Sequence, residues 1–291
     1  MSAGIGDKMN ALECIPCVLD QTLRTLQAVG ADDHQKKQIM QGALVEVRSM
    51  LDGASAPEAT RYIFKNLMAT IKNHDPFREF KKASTRAALD MFPRLKKTVS
   101  AADNPFAKAI ELSVAGNVID LATITTGDLL EVFSWLDRFT AADFAVNDIS
   151  ELEKEIKGAK VILVIGDNAG ETVFDRLFIE LIDGPELYYG VRGAPVLNDA
   201  VESDAIEAGI EASARIVSSG STVPGTLLSD VSDEFSALFD SADVVIAKGQ
   251  GNFETLDKSP RPVYHLFKAK CKAVAAQIGC NIGDFVVWRR E

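Results

Sequence analysis

The chain has 291 residues, and its 31 Lys and Arg against 42 Asp and Glu leave a formal net charge of −11. Such an acidic chain lacks the basic surface that phosphate backbones require, so no nucleic-acid partner is expected; no apolar run approaches the ~20 residues of a membrane span, so no membrane partner is expected either. The start MSAGIGDKMNALE is not a secretory leader, and four cysteines do not make a disulfide scaffold, which together point to a cytoplasmic protein.

The first half reads as helix. Val18–Val29 carries apolar residues at 18, 19, 23, 26 and 29, a helical stripe, with Pro16 suited to its first turn. Helical patterns follow at Gln35–Leu51, Pro57–Lys72, Pro76–Met91 and Leu112–Ile119. The period then changes. Short apolar runs at Lys160–Ile165, Glu186–Val191, Arg215–Val217, Asp243–Ala247, Val263–Phe267 and Phe285–Trp288 read as strands. Helical segments Glu171–Leu181, Asp199–Ala208 and Thr226–Phe239 stand between them. This alternation implies an α/β fold: a three-layer α/β/α sandwich with a mostly parallel, Rossmann-like sheet and an N-terminal helical region. The shift in composition near residue 155 sets the expected division, 1–155 helical and 156–291 α/β.

In an open parallel sheet, ligands bind beyond the carboxyl ends of the strands. Four of these ends carry polar, glycine-rich loops: Gly166–Glu171, Arg192–Asp199, Ser218–Gly225 and Lys248–Glu254. Asp167, Asn168 and Asp199 offer hard oxygen donors suited to a divalent cation that keeps a place for a substrate phosphate. Singly, each acid could be a cap or a turn; on neighbouring strands they read as a site. Gly220 and Gly225 suit either an anion at a helix start or an ordinary connection. Lys248, flanked by a glycine at a buried strand end, needs an anion or a carboxylate to face. Lys268, Lys270 and Lys272 form a basic cluster, either a solvated face or a source of one phosphate-binding lysine. Cys14 and Cys17 form a CxxC pair, and with Cys271 they read as a structural thiol cluster more readily than as a zinc or redox site. No HExxH, GxSxG, GxGxxG or P-loop pattern occurs.

The segments DNAGETVFDRL (Asp167–Leu177), RGAPVLNDA (Arg192–Ala200) and KGQGNFE (Lys248–Glu254) resemble the damage-control phosphatase family, long catalogued as domain of unknown function 89. CIPC (Cys14–Cys17), GNVID (Gly116–Asp120) and FKAKC (Phe267–Cys271) are similar to its stand-alone prokaryotic-type branch. The resemblance implies a metal-dependent phosphatase acting on small phosphorylated metabolites, such as sugar phosphates, phosphopantetheine-like esters or damaged metabolites. It implies a divalent metal (Mn, Mg, Co or Ni) on Asp167, Asn168 and Asp199. Gly249, Gln250, Gly251 and Asn252 would form a phosphate loop with Lys248 at its base, and Lys270 would bind phosphate. Asn117 and Asp120 would reach the same cleft. Lys248 and Lys270 would stabilise the transferring phosphoryl group, Glu171 would serve as general base, and the nucleophile would be water or Asp167. The alternatives are an S-adenosylmethionine-dependent carboxyl methyltransferase using the Gly166–Gly170 loop, and a non-catalytic metal or metabolite sensor.

Overall fold

The structure, a computed structural model, describes residues 11–117 and 134–290. Three helices come first, the amphipathic α1 (Ala11–Ala28) and α3 (Ala56–Ile71) with α2 (Asp33–Glu46) between them. Capping boxes start two of them, Asp32 with Gln35 and Ser55 with Glu58, so backbone donors that a helix start leaves open are satisfied locally. Leu26, Ile39, Ala43, Ile63, Phe64 and Leu67 close a separate small core, which Val196 from the α/β part completes. Pro16 lies inside α1 and not at its start, because the helix begins at Ala11.

The long helix α4 (Arg78–Ser100) and α5 (Pro105–Gly116) belong to the main core instead. A buried lysine fastens α4 to the helix α8 (Glu202–Ala208): Lys81 Nζ lies 2.9 Å from Asp75 Oδ2 and 2.8 Å from Asp204 Oδ2. The helical pattern expected at Leu112–Ile119 is covered by α5 up to Gly116; residues from 118 lie outside the described part.

Seven strands form one sheet: β1 (Phe144–Asn147), β2 (Val161–Ile165), β3 (Glu186–Val191), β4 (Arg215–Ser218), β5 (Val244–Lys248), β6 (Val263–Lys268) and β7 (Phe285–Arg290). Their order is β1-β7-β6-β5-β2-β3-β4, parallel except where β7 runs against β6. The sheet thus begins at residue 144, ahead of the shift near 155, and its first strand joins through β7. The chain lays β3 and β4 on one side of β2, then crosses to β5 on the other. That reversal opens a crevice beyond the carboxyl ends of β2 and β5, where such sheets bind ligands.

Ile162, Leu163, Val164 and Ile165 of β2 are fully buried because helices cover both faces. On one face α4, α5 and α7 (Glu171–Ile179) pack; on the other lies α9 (Asp233–Ser241), through Phe235 and Phe239. Further helices among the described residues are α6 (Ile149–Gly158), α10 (Gln250–Leu256) and α11 (Lys272–Ile278). Two expected helices are shorter than their patterns. Asp199 lies ahead of α8 because it pairs as an extended bridge with Asn168. Thr226 lies ahead of α9 because its side chain bonds Arg192 and Asn252. Among the described residues no helix is long and apolar enough to cross a membrane.

Candidate active site

The crevice collects its side chains from five places. The end of β2 supplies Asp167 and Asn168, and the first turn of α7 supplies Glu171. The loop after β3 brings Asp199 alongside: Ala169 N donates to Asn198 O, and Ala200 N donates to Asp167 O, at 3.0 and 2.8 Å. Arg192 follows β3 directly. From the other side α5 ends on Asn117, its C-cap residue.

Two amide groups bind two carboxylates here. Asn117 Nδ2 donates to Glu171 Oε1 at 2.6 Å and to Asp167 Oδ2 at 3.3 Å. Asn168 Nδ2 donates to the same oxygens, at 2.5 and 3.1 Å. Asp199 Oδ2 accepts from Arg192 Nε at 2.7 Å, and Arg192 Nη1 donates to Thr226 Oγ1 at 3.1 Å. Arg192 Nη2 stands 3.8 Å from Asp167 Oδ1. Among the described residues, three buried atoms of the crevice have no hydrogen-bond partner: Asn117 Oδ1, Glu171 Oε2 and Arg192 Nη2. Buried polar groups are rarely left so, and two acceptors and a donor around one carboxylate mark a place for a ligand with both positive and anionic parts.

Burial dominates the electrostatics. It pushes Glu171 up to about 7, reinforced by the charge of Asp167, and raises Asp167 against the pull of Lys270 and Arg192. Asp199 is also pushed up to about 7 by burial, although Arg192 opposes this. These acids are held in a state that a cation would relieve.

Several expected residues are here, and several do other work. Lys248 is engaged by partners other than these acids, although its charge pulls on both Glu171 and Asp167. It is fully buried, its Nζ paired with Asp175 Oδ1 and donating to Ser113 O at 3.2 Å. Asn252 is also fully buried; its amide donates to Gly166 O and Lys248 O, and its Oδ1 accepts from Thr226. It pins the loops after β2, β4 and β5 together and has no free face for phosphate. Gln250 donates to Glu254 at 2.7 Å and to Cys271 Sγ at 3.6 Å, and its Oε1 accepts from Lys270 N. Gly251 packs on Pro224, whose oxygen a Cβ would meet at 2.5 Å. Lys270 is exposed, and its charge acts on both Asp167 and Glu171. Asp120 lies outside the described residues.

Cys14, Cys17 and Cys271 are free thiols close enough to act on one another electrostatically. Cys17 is exposed, so they are not a buried cluster. Burial, then Glu254, pushes Cys14 up to about 11, the reverse of an activated thiol.

Gly249 has the sharpest constraint. Its φ is +78°, and a Cβ there would lie 2.0 Å from Asp167 Oδ2. Gly249→Ala must displace that carboxylate, and we expect turnover to fall by roughly 10²-fold; unchanged turnover with retained fold would show that Asp167 can move freely.

With this geometry in view, the chain was compared with known proteins. The family profile of the damage-control phosphatase ARMT1-like domain matches residues 11–286. The chain belongs to this family. A damage-control phosphatase of Pyrococcus horikoshii is 33% identical over 284 residues, covering 96% of this chain and 97% of that protein. One from Archaeoglobus fulgidus is 30% identical over 280 residues, covering 94% and 96%. The crystal structure of a DUF89 family protein from Pyrococcus horikoshii superposes with a TM-score of 0.88 at 33% identity, covering 96% of this chain and 98% of that one. The mostly parallel sheet and its helical layers are therefore the family fold.

Sequence reasoning missed Arg192, Thr226, Ser113 and Asp175 as site residues. Asp175 had one legible signal: it follows Glu171 by four residues, one turn along the same face of the helix.

Proposed function

We propose that this protein is a metal-dependent phosphatase hydrolysing phosphomonoesters of small metabolites. The observation that carries the reading is the pair Asp167 and Glu171, buried side by side and bridged by the Asn117 and Asn168 amides. The names of the relatives, damage-control phosphatases, support the reaction class and not the methyltransferase alternative.

The residues fit a hard divalent cation. The oxygens that meet here are carboxylate and side-chain amide oxygens, the hard donors such an ion takes. Asn117 Oδ1 and Glu171 Oε2 are unpartnered, and a half-turn of either amide exchanges its nitrogen for its oxygen. Asp167, Asn168 and Asn117 would hold the ion, with Asp199 offering the oxygen that Arg192 does not take and Glu171 standing beside it. A bound cation there supplies charge neutralisation to the phosphoryl oxygens.

The protein's own groups do the rest. Lys270, exposed at the crevice mouth, binds the arriving phosphate. Arg192 holds Asp199 in place. Glu171, which burial pushes up to about 7 in the metal-free protein, takes the proton of the attacking water on Oε2, the oxygen without a partner among the described residues. Only its ionised form accepts a proton, and a bound cation favours that form, so the rate should rise with pH on an acidic limb that lies below the value of about 7 reached in the metal-free protein. Glu171→Gln should flatten that limb and lower kcat by about 10²–10⁴-fold. A pH–rate profile with p-nitrophenyl phosphate checks both; an unchanged limb in Glu171→Gln would assign the base elsewhere.

A further inference from the structure

The mechanism uses Asn117, which arrives from a helix remote in sequence, and something must aim it. Helix α5 is held at its end in three ways. Gly116 packs so closely on α7 that a Cβ would lie 2.9 Å from the Phe174 ring. Ser113, one turn before Asn117 on the same face, is fully buried, and its Oγ donates to Asp175 Oδ1 at 2.6 Å. A helical serine commonly turns its hydroxyl back on its own helix; here it reaches across to another. The third hold is on the backbone. Asn117 N bonds Val114 O, which leaves the Ser113 carbonyl among those a helix end cannot satisfy, and Lys248 Nζ caps it.

Asp175 is the hub. Its Oδ1 receives Ser113 and Lys248, and its Oδ2 accepts from Tyr189 OH at 2.7 Å. Lys248, Asp175 and Ser113 are all fully buried. Lys248 ends β5 and Asp175 lies in α7, so the hub joins sheet, α7 and α5 where the three elements that frame the crevice meet.

We propose that Ser113, Asp175 and Lys248 form a clasp on the end of α5, and that they are positioning residues acting through Asn117. The clasp sets the Asn117 amide against Asp167 and Glu171; without it the amide loses its fixed place while the crevice keeps its other walls. The kinetic part of this inference rests on the phosphatase reading above, and the spectroscopic part does not.

The mildest perturbation is Ser113→Ala, which removes one hydrogen bond and leaves the buried ion pair intact. It should lower kcat for p-nitrophenyl phosphate about 10-fold with KM within about twofold. In an Asn117→Ala background the same change should cause no further loss, because the clasp has nothing left to aim. Independently of turnover, the Asn117 side-chain amide signals, identified in a ¹⁵N-correlated spectrum by their loss in Asn117→Ala, should move in Ser113→Ala. They should stay put in Ser241→Ala, on the far helix α9. Tyr189→Phe, which loosens Asp175 from the other side, should move the same signals and serves if Ser113→Ala does not fold. Equal losses of kcat with and without Asn117, or unmoved amide signals in both variants, would overturn the clasp. Absence of turnover in the unaltered protein would count against the phosphatase reading, and the amide signals would still decide the clasp.

Discussion

Asp167→Asn should abolish turnover, by ~10³-fold or more, which corresponds to about 4 kcal/mol of barrier. The substitution keeps the size of the side chain but removes the one charge around which the crevice is arranged. Asn117 and Asn168 both donate to Asp167 Oδ2, Arg192 Nη2 stands 3.8 Å from Oδ1, and Gly249 leaves room for this carboxylate and nothing larger. An amide in its place would turn a nitrogen toward donors on one side or the other. Stability should move the opposite way. Burial raises Asp167 in the folded protein, so its ionised form opposes folding above its unfolded pKa. Replacing it should leave Tm of the metal-free protein equal or higher at pH 8. The checks are kcat at saturating metal and a thermal melt. Near-normal turnover would remove Asp167 from the reaction; a collapsed Tm would make it a structural residue.

The second large effect concerns Lys248. Lys248→Met should cost about 3–5 kcal/mol of stability, because it strands the Asp175 carboxylate in the interior without its cation. Tm should fall by several degrees or more, at roughly 2–4 °C per kcal/mol. The Ser113 carbonyl loses its cap at the same time, so kcat should drop through the loosened end of α5. KM for phosphomonoesters should change little. This result separates two accounts of the residue. A lysine at the base of a phosphate loop would lose substrate affinity with an unchanged Tm, and that outcome would contradict the placement described above.

The acids of the crevice also set a pH trend for the metal-free protein. Glu171 and Asp199, both near 7 when folded, keep their protons while their unfolded counterparts have lost them. Stability they contribute is present below the unfolded pKa near 4 and is lost as pH rises through 7. Chelated protein should therefore melt lower at pH 8 than at pH 5.5, and added divalent cation should reduce the difference. A Tm that rises over this interval would contradict the burial of these two acids.

Much of this was legible in the residues because of how parallel sheets bury themselves. β2 and β5 are covered on both faces, so they appear as short aliphatic runs whose length and place between helical patterns mark them as strands. β1 was not legible: Phe144–Asn147 has four residues, and it pairs with β7 near the other end of the chain. Thr226–Phe239 carried apolar spacing that suits a helix, but its first residues are held by Arg192 and Thr255 side chains. For the site, strand ends told where the backbone delivers Asp167, Asn168 and Asp199. They did not tell which way a side chain turns. Lys248 and Asn252 stand in the expected loop and point inward, toward partners on α5, α7 and the β2 end that share no local pattern with them. Ser113 and Arg192 are the same problem from the other side: their roles exist only in the folded arrangement.

The most direct test is hydrolysis of p-nitrophenyl phosphate by chelator-stripped protein, with Mg²⁺, Mn²⁺, Co²⁺ and Ni²⁺ restored in turn and Asp167→Asn alongside. The account predicts turnover that returns with at least one metal and that the variant lacks. Turnover that survives stripping, or that Asp167→Asn retains, would contradict it, and metal binding with no turnover on any small phosphomonoester would favour a sensor.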